Sequence, residues 1–207
     1  MTALFLSCAD PEEKQFTGLR RLMPRLAAEL PGLAYREWQG RVLRCRWRRR
    51  LGTVLVSGHG ARDRAAFRSP LGDLTPGSLS LPRGARLYLL GCHQGRPDLL
   101  RDWAAGTGLA EERVRGHDGE TESAISTCLL LHLLEDGLSS LESWFGAWRR
   151  CNADLEKHFP LLRAAYADCA GDPLRAWERV CGLPAVEAHR EFFGSGLRHP
   201  EYLTGLA

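Results

Sequence analysis

The chain has 207 residues, a formal net charge of +3 and 44% hydrophobic residues, enough to build a sizeable hydrophobic core. It has no run of about 18 apolar residues, so the sequence predicts no membrane span, and the small net charge gives no reason to expect nucleic acid as a partner. Its seven cysteines lack the paired close spacings of a disulfide framework or a zinc site. Because the N-terminus leads straight into an apolar strand, we expect a cytoplasmic protein with reduced thiols. We also expect no metal or cofactor.

The first elements along the chain are a predicted strand and helix. Residues 2–8 form a short apolar run, and Asp10 followed by Pro11 provides an N-cap and a proline at the first helical position. We expect the helix to kink at Pro24 and to end at the Pro-Gly pair 31–32. Its apolar stripe at helical spacing consists of Phe16, Leu19, Leu22, Met23, Leu26 and Leu30. A strand followed by a helix is the first half of a βα unit.

Residues 33–50 alternate between apolar side chains and arginines with a period of two. This pattern predicts an edge strand with one guanidinium-bearing face. Such a face fits a solvated edge that discourages sheet-to-sheet aggregation, and it also fits a surface that binds phosphates or an acidic partner. The sequence leaves both interpretations open.

Two short apolar runs each stop at a glycine beside a reactive side chain. Residues 53–60 read TVLVSGHG and residues 86–95 read RLYLLGCHQG. The polar stretch between them contains a predicted surface loop at 69–77. Runs of this kind are typical of buried parallel strands, whose carboxyl ends carry the ligand and catalytic sites of open α/β sheets. The imidazole of His59 and the thiol of Cys92 are the minimum for thiolate nucleophilic catalysis.

The remaining chain continues the alternation and then becomes helical. We predict a helix at 98–105, a strand at 112–116 and an apolar helix at 122–136 that lies on the sheet. Beyond these elements, tryptophans and phenylalanines recur at helical intervals. The pattern predicts an α/β fold with a mostly parallel sheet flanked by helices, organised as a core, 1–138, and a helical extension, 139–207, that packs on it.

The two strand ends resemble a known group of enzymes. The order apolar strand, Ser-Gly-His59-Gly60, apolar strand, Gly-Cys92-His-Gln-Gly95 is similar to that of the caspase-like cysteine peptidases, which include caspases, metacaspases, legumain, separase and the bacterial CHAT peptidases. The second motif looks most like the metacaspase form, while the first strand and residues 119–124 are more like small bacterial CHAT domains. The resemblance covers roughly residues 2–137. It implies a caspase-like fold and a His/Cys dyad without a third catalytic residue.

The expected chemistry uses both strand ends. Cys92, as thiolate, attacks a carbonyl carbon, and the backbone N–H groups of Gly60 and Cys92 hold the resulting oxyanion. Glycine at position 60 lets the substrate approach closely because no side chain is in the way. His59 protonates the departing amine and then activates water for hydrolysis of the thioester.

Three other histidines are expected to stand outside the chemistry. His93 follows Cys92 directly, and because adjacent residues at a strand end point to opposite sides, we expect it to face away from the thiol and to be structural. His117 and His132 have no partner at metal-ligand spacing, so we expect core or surface roles for them.

Acidic residues after the strand ends are the candidates for a substrate pocket. Metacaspases that cut after Arg or Lys carry an acidic residue two positions before the nucleophile, whereas this chain has Leu90 there. Asp10, Asp118, Glu120 and Glu122 could instead line a pocket at the same edge, although Asp10 is also a helix cap and the others also fit a solvated loop.

The resemblance implies a cysteine endopeptidase that acts on a protein substrate in a bacterial cell-death or defence setting. Only roughly twenty residues separate Cys92 from the next strand, which leaves no room for a long processing loop, so we expect activation by a protein partner. Two alternatives stay open: an inactive caspase-like adaptor whose aromatic helices dock a partner, and a Cys/His hydrolase or acyltransferase that acts on a non-peptide amide or ester.

Overall fold

The computed structural model of the protein describes residues 2–8, 16–44, 51–121, 126, 137–156, 164–165, 167–169 and 179. The chain divides into two compact units, one made of Met1–Glu12 with Met23–Thr121 and the other of Glu13–Leu22 with Glu122–Ala207. His59 and Cys92 both belong to the first unit. The domain boundary between residues 138 and 139 stays a prediction.

A five-stranded sheet forms the centre of the first unit. Its strands are β1 (Thr2–Ser7), β2 (Leu33–Glu37), β4 (Leu51–Ser57), β8 (Arg86–Leu90) and β9 (Val114–Gly116), in the order β2-β1-β4-β8-β9. Every neighbouring pair in this sheet is parallel. With helices in the connections between the strands, the structure confirms the predicted α/β fold with a mostly parallel sheet.

The central strands form where apolar and β-branched residues follow each other without interruption, a pattern typical of strands that are covered on both faces. On one face of the sheet, every second side chain of these strands packs into a single core that also contains Trp103 and Phe67. The strand residues of that core include Leu4, Leu6, Val54, Val56, Leu87 and Leu89. Because the packing on this face is continuous, β4 and β8 are held in one register up to their carboxyl ends.

Four short strands form two small ribbons outside the main sheet. β3 (Leu43–Arg44) pairs with β7 (Leu79–Ser80) in parallel, and β5 (His59–Gly60) pairs with β6 (Phe67–Arg68) in antiparallel orientation. The second ribbon contains the candidate histidine and the glycine that follows it. The residues just after β4 are therefore held by backbone pairing.

Two expectations for the connecting segments hold only in part: β2 lies at the edge of the sheet, and segment 69–77 is exposed or half-buried except at one residue, as predicted. The predicted edge strand at 33–50 is divided, because β2 ends at Glu37 and β3 belongs to a separate ribbon; residues 45–50 lie outside the described part of the chain. Segment 69–77 is more than a surface loop, since Leu74 is fully buried and its backbone exchanges hydrogen bonds of 2.9 Å with Phe67. Because the residues next to Leu74 are polar, hydrophobic periodicity does not predict that it is buried.

Three α-helices have described bounds: α1 (Thr17–Glu29), α2 (Pro97–Thr107) and α3 (Leu141–Glu156). The apolar stripe predicted for α1 is buried throughout, and the helix continues through Pro24. α2 begins with proline at its first position and ends at Gly108, whose φ of 71° provides a left-handed C-cap. It extends the predicted helix at 98–105 by a residue or two at each end.

In the second unit, α3 buries three of the aromatic side chains that the sequence singles out, Trp144, Phe145 and Trp148. The rings of Phe145 and Trp148 stack with centroids 5.4 Å apart, and Trp148 Nε1 donates a hydrogen bond to Ser126 Oγ at 2.9 Å. The predicted helix at 122–136 lies almost entirely outside the described residues. Within the described part of the chain, no helix is both long and apolar enough to cross a membrane.

Candidate active site

The two residues of the candidate dyad follow neighbouring strands. β4 and β8 are parallel, with Ser57 beside Leu90, and from these residues the chain continues for two positions to His59 and to Cys92. Both residues are half-buried. Since parallel strands in register deliver equivalent residues to the same edge, His59 and Cys92 occupy equivalent positions at the carboxyl edge of the sheet.

The backbones at this edge approach each other closely at two glycines. A Cβ built on Gly60 would overlap the carbonyl oxygen of Cys92, and one built on Gly91 would lie 2.7 Å from the Gly58 carbonyl oxygen and 3.2 Å from the Gly60 nitrogen. A side chain at either position would therefore push the two loops apart. Besides substrate access, which the sequence suggests, Gly60 is needed for contact with the backbone of Cys92 itself.

The ribbon of β5 and β6 sets the direction of the Gly60 N–H. Ala61 N–H donates to the carbonyl oxygen of Ala66 at 2.9 Å, and the register places Gly60 opposite Phe67. Hydrogen-bonded and non-hydrogen-bonded pairs alternate in an antiparallel ribbon, so Gly60 and Phe67 form a non-hydrogen-bonded pair. The Gly60 N–H is consequently directed away from β6.

A tight turn follows Cys92 and reverses the chain. His93 takes a φ of 61°, a left-handed conformation that is uncommon for residues other than glycine. The N–H groups of His93 and Gly95 donate to the carbonyl oxygens of Gly119 and His117, each at 2.7 Å. The turn thus pairs with segment 117–121, which runs on from β9, and these hydrogen bonds fix the position of Cys92.

His93 has contacts that suit the structural role expected for it. Its Nδ1 lies 3.3 Å from the carbonyl oxygen of Asp118. The physical reason differs from the predicted one, because His93 belongs to a left-handed turn and not to an extended strand end where side chains alternate. Behind it, Gly95 packs so closely on Gly116 that a Cβ on either residue would overlap the other segment.

Three polar atoms of Thr121 lie close to the sulfur of Cys92. Its backbone N–H donates to Sγ at 3.3 Å, its Oγ1 lies 3.6 Å from Sγ, and its carbonyl oxygen lies 3.8 Å from Sγ. A thiolate accepts a hydrogen bond from an N–H more strongly than a neutral thiol does. Sequence reasoning did not single out Thr121, although the stretch 119–124 that contains it contributes to the CHAT resemblance.

Gln94 is the second residue at the site that sequence reasoning missed. It is completely buried. Its Nε2 donates to the carbonyl oxygens of Ala61 at 2.6 Å and Arg64 at 3.3 Å, and its Oε1 accepts a hydrogen bond from Trp103 Nε1 at 2.7 Å. Apart from its place between Cys92 and Gly95, nothing in the sequence marks it, because two of these partners lie 30 or more residues away in the chain.

Two of the residues predicted for the substrate pocket belong to the segment that pairs with the Cys92 turn. Asp118 and Glu120 both lie in segment 117–121, and the exposed Asp118 carboxylate has its Oδ1 3.8 Å from Nδ1 of the buried His117. Asp10 and Glu122 lie outside the described residues. The structure thus brings half of the predicted pocket to the turn that carries Cys92.

The other predictions about titratable residues have different outcomes. His117 is buried, as one of the two roles expected for it requires, whereas His132 lies outside the described residues. Cys8, just after β1, is also buried, and its burial raises the pKa of its thiol. Over the described ranges, no group of three or more His, Cys, Asp or Glu residues could hold a metal ion.

Comparison with known proteins assigns no family to this chain. No protein-family model matches the sequence, and no curated protein matches it either. The resemblance to caspase-like peptidases therefore rests on the two strand-end motifs, and it stays a prediction.

Proposed function

We propose that this chain is a cysteine endopeptidase in which Cys92 is the nucleophile and His59 is the general acid and base. The register of β4 and β8 is the main support, since residues 59 and 92 then hold equivalent positions at one sheet edge. The close approach of Gly60 to the Cys92 carbonyl supports it further, because it brings together the two residues whose N–H groups would hold the oxyanion.

The reaction begins when the Cys92 thiolate attacks the carbonyl carbon of a peptide bond, and a C–S bond forms as the carbonyl electron pair moves to oxygen. The N–H groups of Gly60 and Cys92 hold this oxyanion. As the carbonyl re-forms, the C–N bond breaks and His59 delivers a proton to the amine. His59 then removes a proton from water, which attacks the thioester, and the C–S bond breaks to release the carboxylic acid and the thiolate.

The proposal includes a protein substrate and activation by a protein partner. Asp118 and Glu120 are the carboxylates that would face the substrate beside the Cys92 turn. The chain from Cys92 to β9 is taken up by the turn, by α2 and by a 3-10 turn at Glu111–Arg113. Since no long loop is available there for internal cleavage, we infer that binding of a partner activates the enzyme.

A library of peptidyl acyloxymethyl ketones tests the proposal directly. We expect one member or more to label the intact protein at a single site, which peptide mapping by mass spectrometry identifies as Cys92. His59→Ala should lose this labelling at least about 100-fold, because general acid-base catalysis contributes about 10²–10⁴-fold. The assay is to be run with and without a bacterial lysate that could supply the activating partner.

Matched variants separate catalysis from general thiol reactivity. His93→Asn should label like the wild type, because asparagine tolerates the left-handed conformation and His93 has no part in the chemistry. The half-buried free thiol of Cys169 is an internal comparison for non-specific alkylation. Equal labelling of Cys92 and Cys169, unaffected by His59→Ala, would contradict the proposal and favour the adaptor.

A further inference from the structure

The side chain of Gln94 joins the two loops that carry the candidate dyad. Its amide is completely buried, and its orientation is determined by its partners. Trp103 Nε1 can only donate, so it must face the amide oxygen, whereas the carbonyl oxygens of Ala61 and Arg64 can only accept, so they must face the amide nitrogen. Both N–H groups of the amide are therefore used, and no other residue type of this size offers two donors and one acceptor in this arrangement.

The two carbonyl groups that Gln94 holds belong to Ala61 and Arg64, in the segment that follows Gly60. Ala61 is the next residue in the chain, and a Cβ built on Gly60 would lie 2.9 Å from Cγ of Gln94, so this side chain packs directly against the glycine. Arg96 adds a third tie, because its Nη1 donates to the carbonyl oxygen of Arg62 at 3.0 Å. Side chains from the turn that carries Cys92 thus hold three carbonyls of the segment that follows His59 and Gly60.

The third contact of Gln94 connects these loops to a rigid element. Trp103 is fully buried in α2 and belongs to the central core. Its indole N–H fixes the amide oxygen, so the amide cannot rotate away from the two carbonyls without losing a buried hydrogen bond. The Gln94 side chain therefore holds the His59 loop and the Cys92 turn in a fixed position relative to each other and to the core of the first unit.

We propose that Gln94 is a positioning residue for the oxyanion site: it holds the Gly60 N–H at the distance and angle from Cys92 that an oxyanion requires. This inference rests on the proposed function, since it has a catalytic consequence only if Cys92 attacks a carbonyl group. Loss of the Nε2 hydrogen bonds frees the carbonyls of Ala61 and Arg64, and the Gly60 peptide group then moves relative to Cys92. The chemical step slows while the affinity for the substrate is unchanged.

Labelling kinetics with the best acyloxymethyl ketone found for the wild type measure this effect. Gln94→Met keeps the side-chain length and removes both donors. We expect kinact, the rate constant of labelling at saturating probe, to fall about 10- to 100-fold, which is less than the loss that removal of an oxyanion donor itself produces. KI, the probe concentration that gives half of this rate, should stay within about 3-fold of wild type. Alkylation of Cys92 by iodoacetamide, which forms no oxyanion, should proceed at the wild-type rate in the same variant.

Two further variants separate positioning from folding. Thr107→Ala removes a buried hydroxyl that bonds within α2, to the carbonyl oxygens of Trp103 and Ala104, so it should lower the melting temperature and leave kinact unchanged. Trp103→Phe removes the donor to Gln94 Oε1 but keeps a large ring, and it should lower kinact by less than Gln94→Met does. It provides the test if Gln94→Met fails to fold.

The outcomes distinguish this inference from the proposed function. If the wild type is not labelled at Cys92, the proposed function fails. If the wild type is labelled and a folded Gln94→Met protein keeps the wild-type kinact, or loses iodoacetamide reactivity to the same extent as probe reactivity, then the positioning role is overturned while the peptidase proposal stands.

Discussion

Two thiols lie just past the ends of strands in the same sheet, and their surroundings differ. Cys92 is half-buried, with the Thr121 N–H 3.3 Å from its sulfur. Cys8 is buried, and its N–H extends the β1–β4 pairing by donating to the Ser57 carbonyl oxygen at 2.7 Å. Reactive cysteines need access and donors or positive charge around the sulfur, whereas a cysteine buried among apolar residues behaves as a small hydrophobic side chain. Of these two thiols, Cys92 has the access and the N–H donor that a reactive cysteine needs.

The raised pKa of Cys8 predicts a dependence of stability on pH. Burial keeps this thiol protonated in the folded protein, whereas in the unfolded chain it ionises near the ordinary thiol value of about 8.5. Above that pH the unfolded state has lost a proton that the folded state retains, so the free energy of unfolding falls as the pH rises, by up to about 1.4 kcal/mol per pH unit. Below about pH 8.5 this effect is absent.

Urea unfolding at pH 7, 9 and 10, compared between wild type and Cys8→Val, checks this prediction. Valine is similar in volume and cannot ionise. The stability of the wild type relative to the variant should therefore decrease from pH 7 to pH 10. Curves for the two proteins that stay parallel over this range would show that burial of Cys8 has no such effect.

At the scale of elements, the close contact between β5 and the Cys92 turn leads to a prediction about Gly60. Gly60→Ala places a methyl group where the Cys92 carbonyl oxygen lies, so the two loops must separate. We expect the variant to lose about 1–3 kcal/mol of stability, as is typical of overpacking, and to react with peptidyl probes about 100-fold more slowly because the oxyanion donors move apart.

Gly77→Ala is the matched control for this change. Gly77 lies in the short 3-10 turn Pro76–Ser78, and a Cβ built on it meets nothing within 4 Å. Its stability and probe labelling should stay close to those of the wild type. The contact argument fails if the two alanine variants behave alike.

The parallel sheet was predictable from sequence because its central strands are continuous apolar runs. The segments 53–57 and 87–90 are buried on both faces, so successive residues contribute to the apolar run, and the glycines that follow mark where each strand ends. The positions of His59 and Cys92 at equivalent strand ends followed from the same pattern. The helices were predictable from their apolar stripes and, in α2, from the proline at the first position.

The supporting contacts of the site were not predictable in the same way. The ribbon of β5 and β6 has only two residues in each strand, too few for a periodic pattern, and its anchor Phe67 stands alone between polar segments. Gln94 binds backbone carbonyl groups, and Thr121 donates its own backbone N–H to a sulfur, in each case about 30 residues away in the chain. Every residue has the same backbone groups, so such pairs leave no trace in the sequence of the partner segment.

At the scale of the whole molecule, the chain passes between its two compact units more than once. The second unit takes in Glu13–Leu22 and resumes at Glu122. As a result, helix α1 starts in the second unit and ends in the first. Because half of a helix this short is not stable by itself, we expect the folding of the two units to be coupled.

We therefore predict a single cooperative unfolding transition for the intact chain. Urea unfolding is to be followed by far-UV circular dichroism and, in parallel, by the rate at which Cys8 becomes accessible to a thiol reagent. Both probes should give the same midpoint, as expected for a two-state transition. A lower midpoint for one of them would indicate that the two units unfold separately. Trp148→Phe, which alters the second unit, should shift both midpoints together.

The location of Thr121 at the end of the first unit determines what a rotation of its backbone changes near the Cys92 thiol. Thr121 is the final residue of the first unit, and its N–H donates to Cys92 Sγ at 3.3 Å. With the residues before it held in place, rotation about the φ and ψ of Thr121 leaves its own N–H, the glycine contacts and the Gln94 ties unchanged, because that N–H lies in the peptide plane shared with Glu120. The donor to the thiol is thus set by the same unit that aligns the rest of the site, whatever path the chain takes after Thr121.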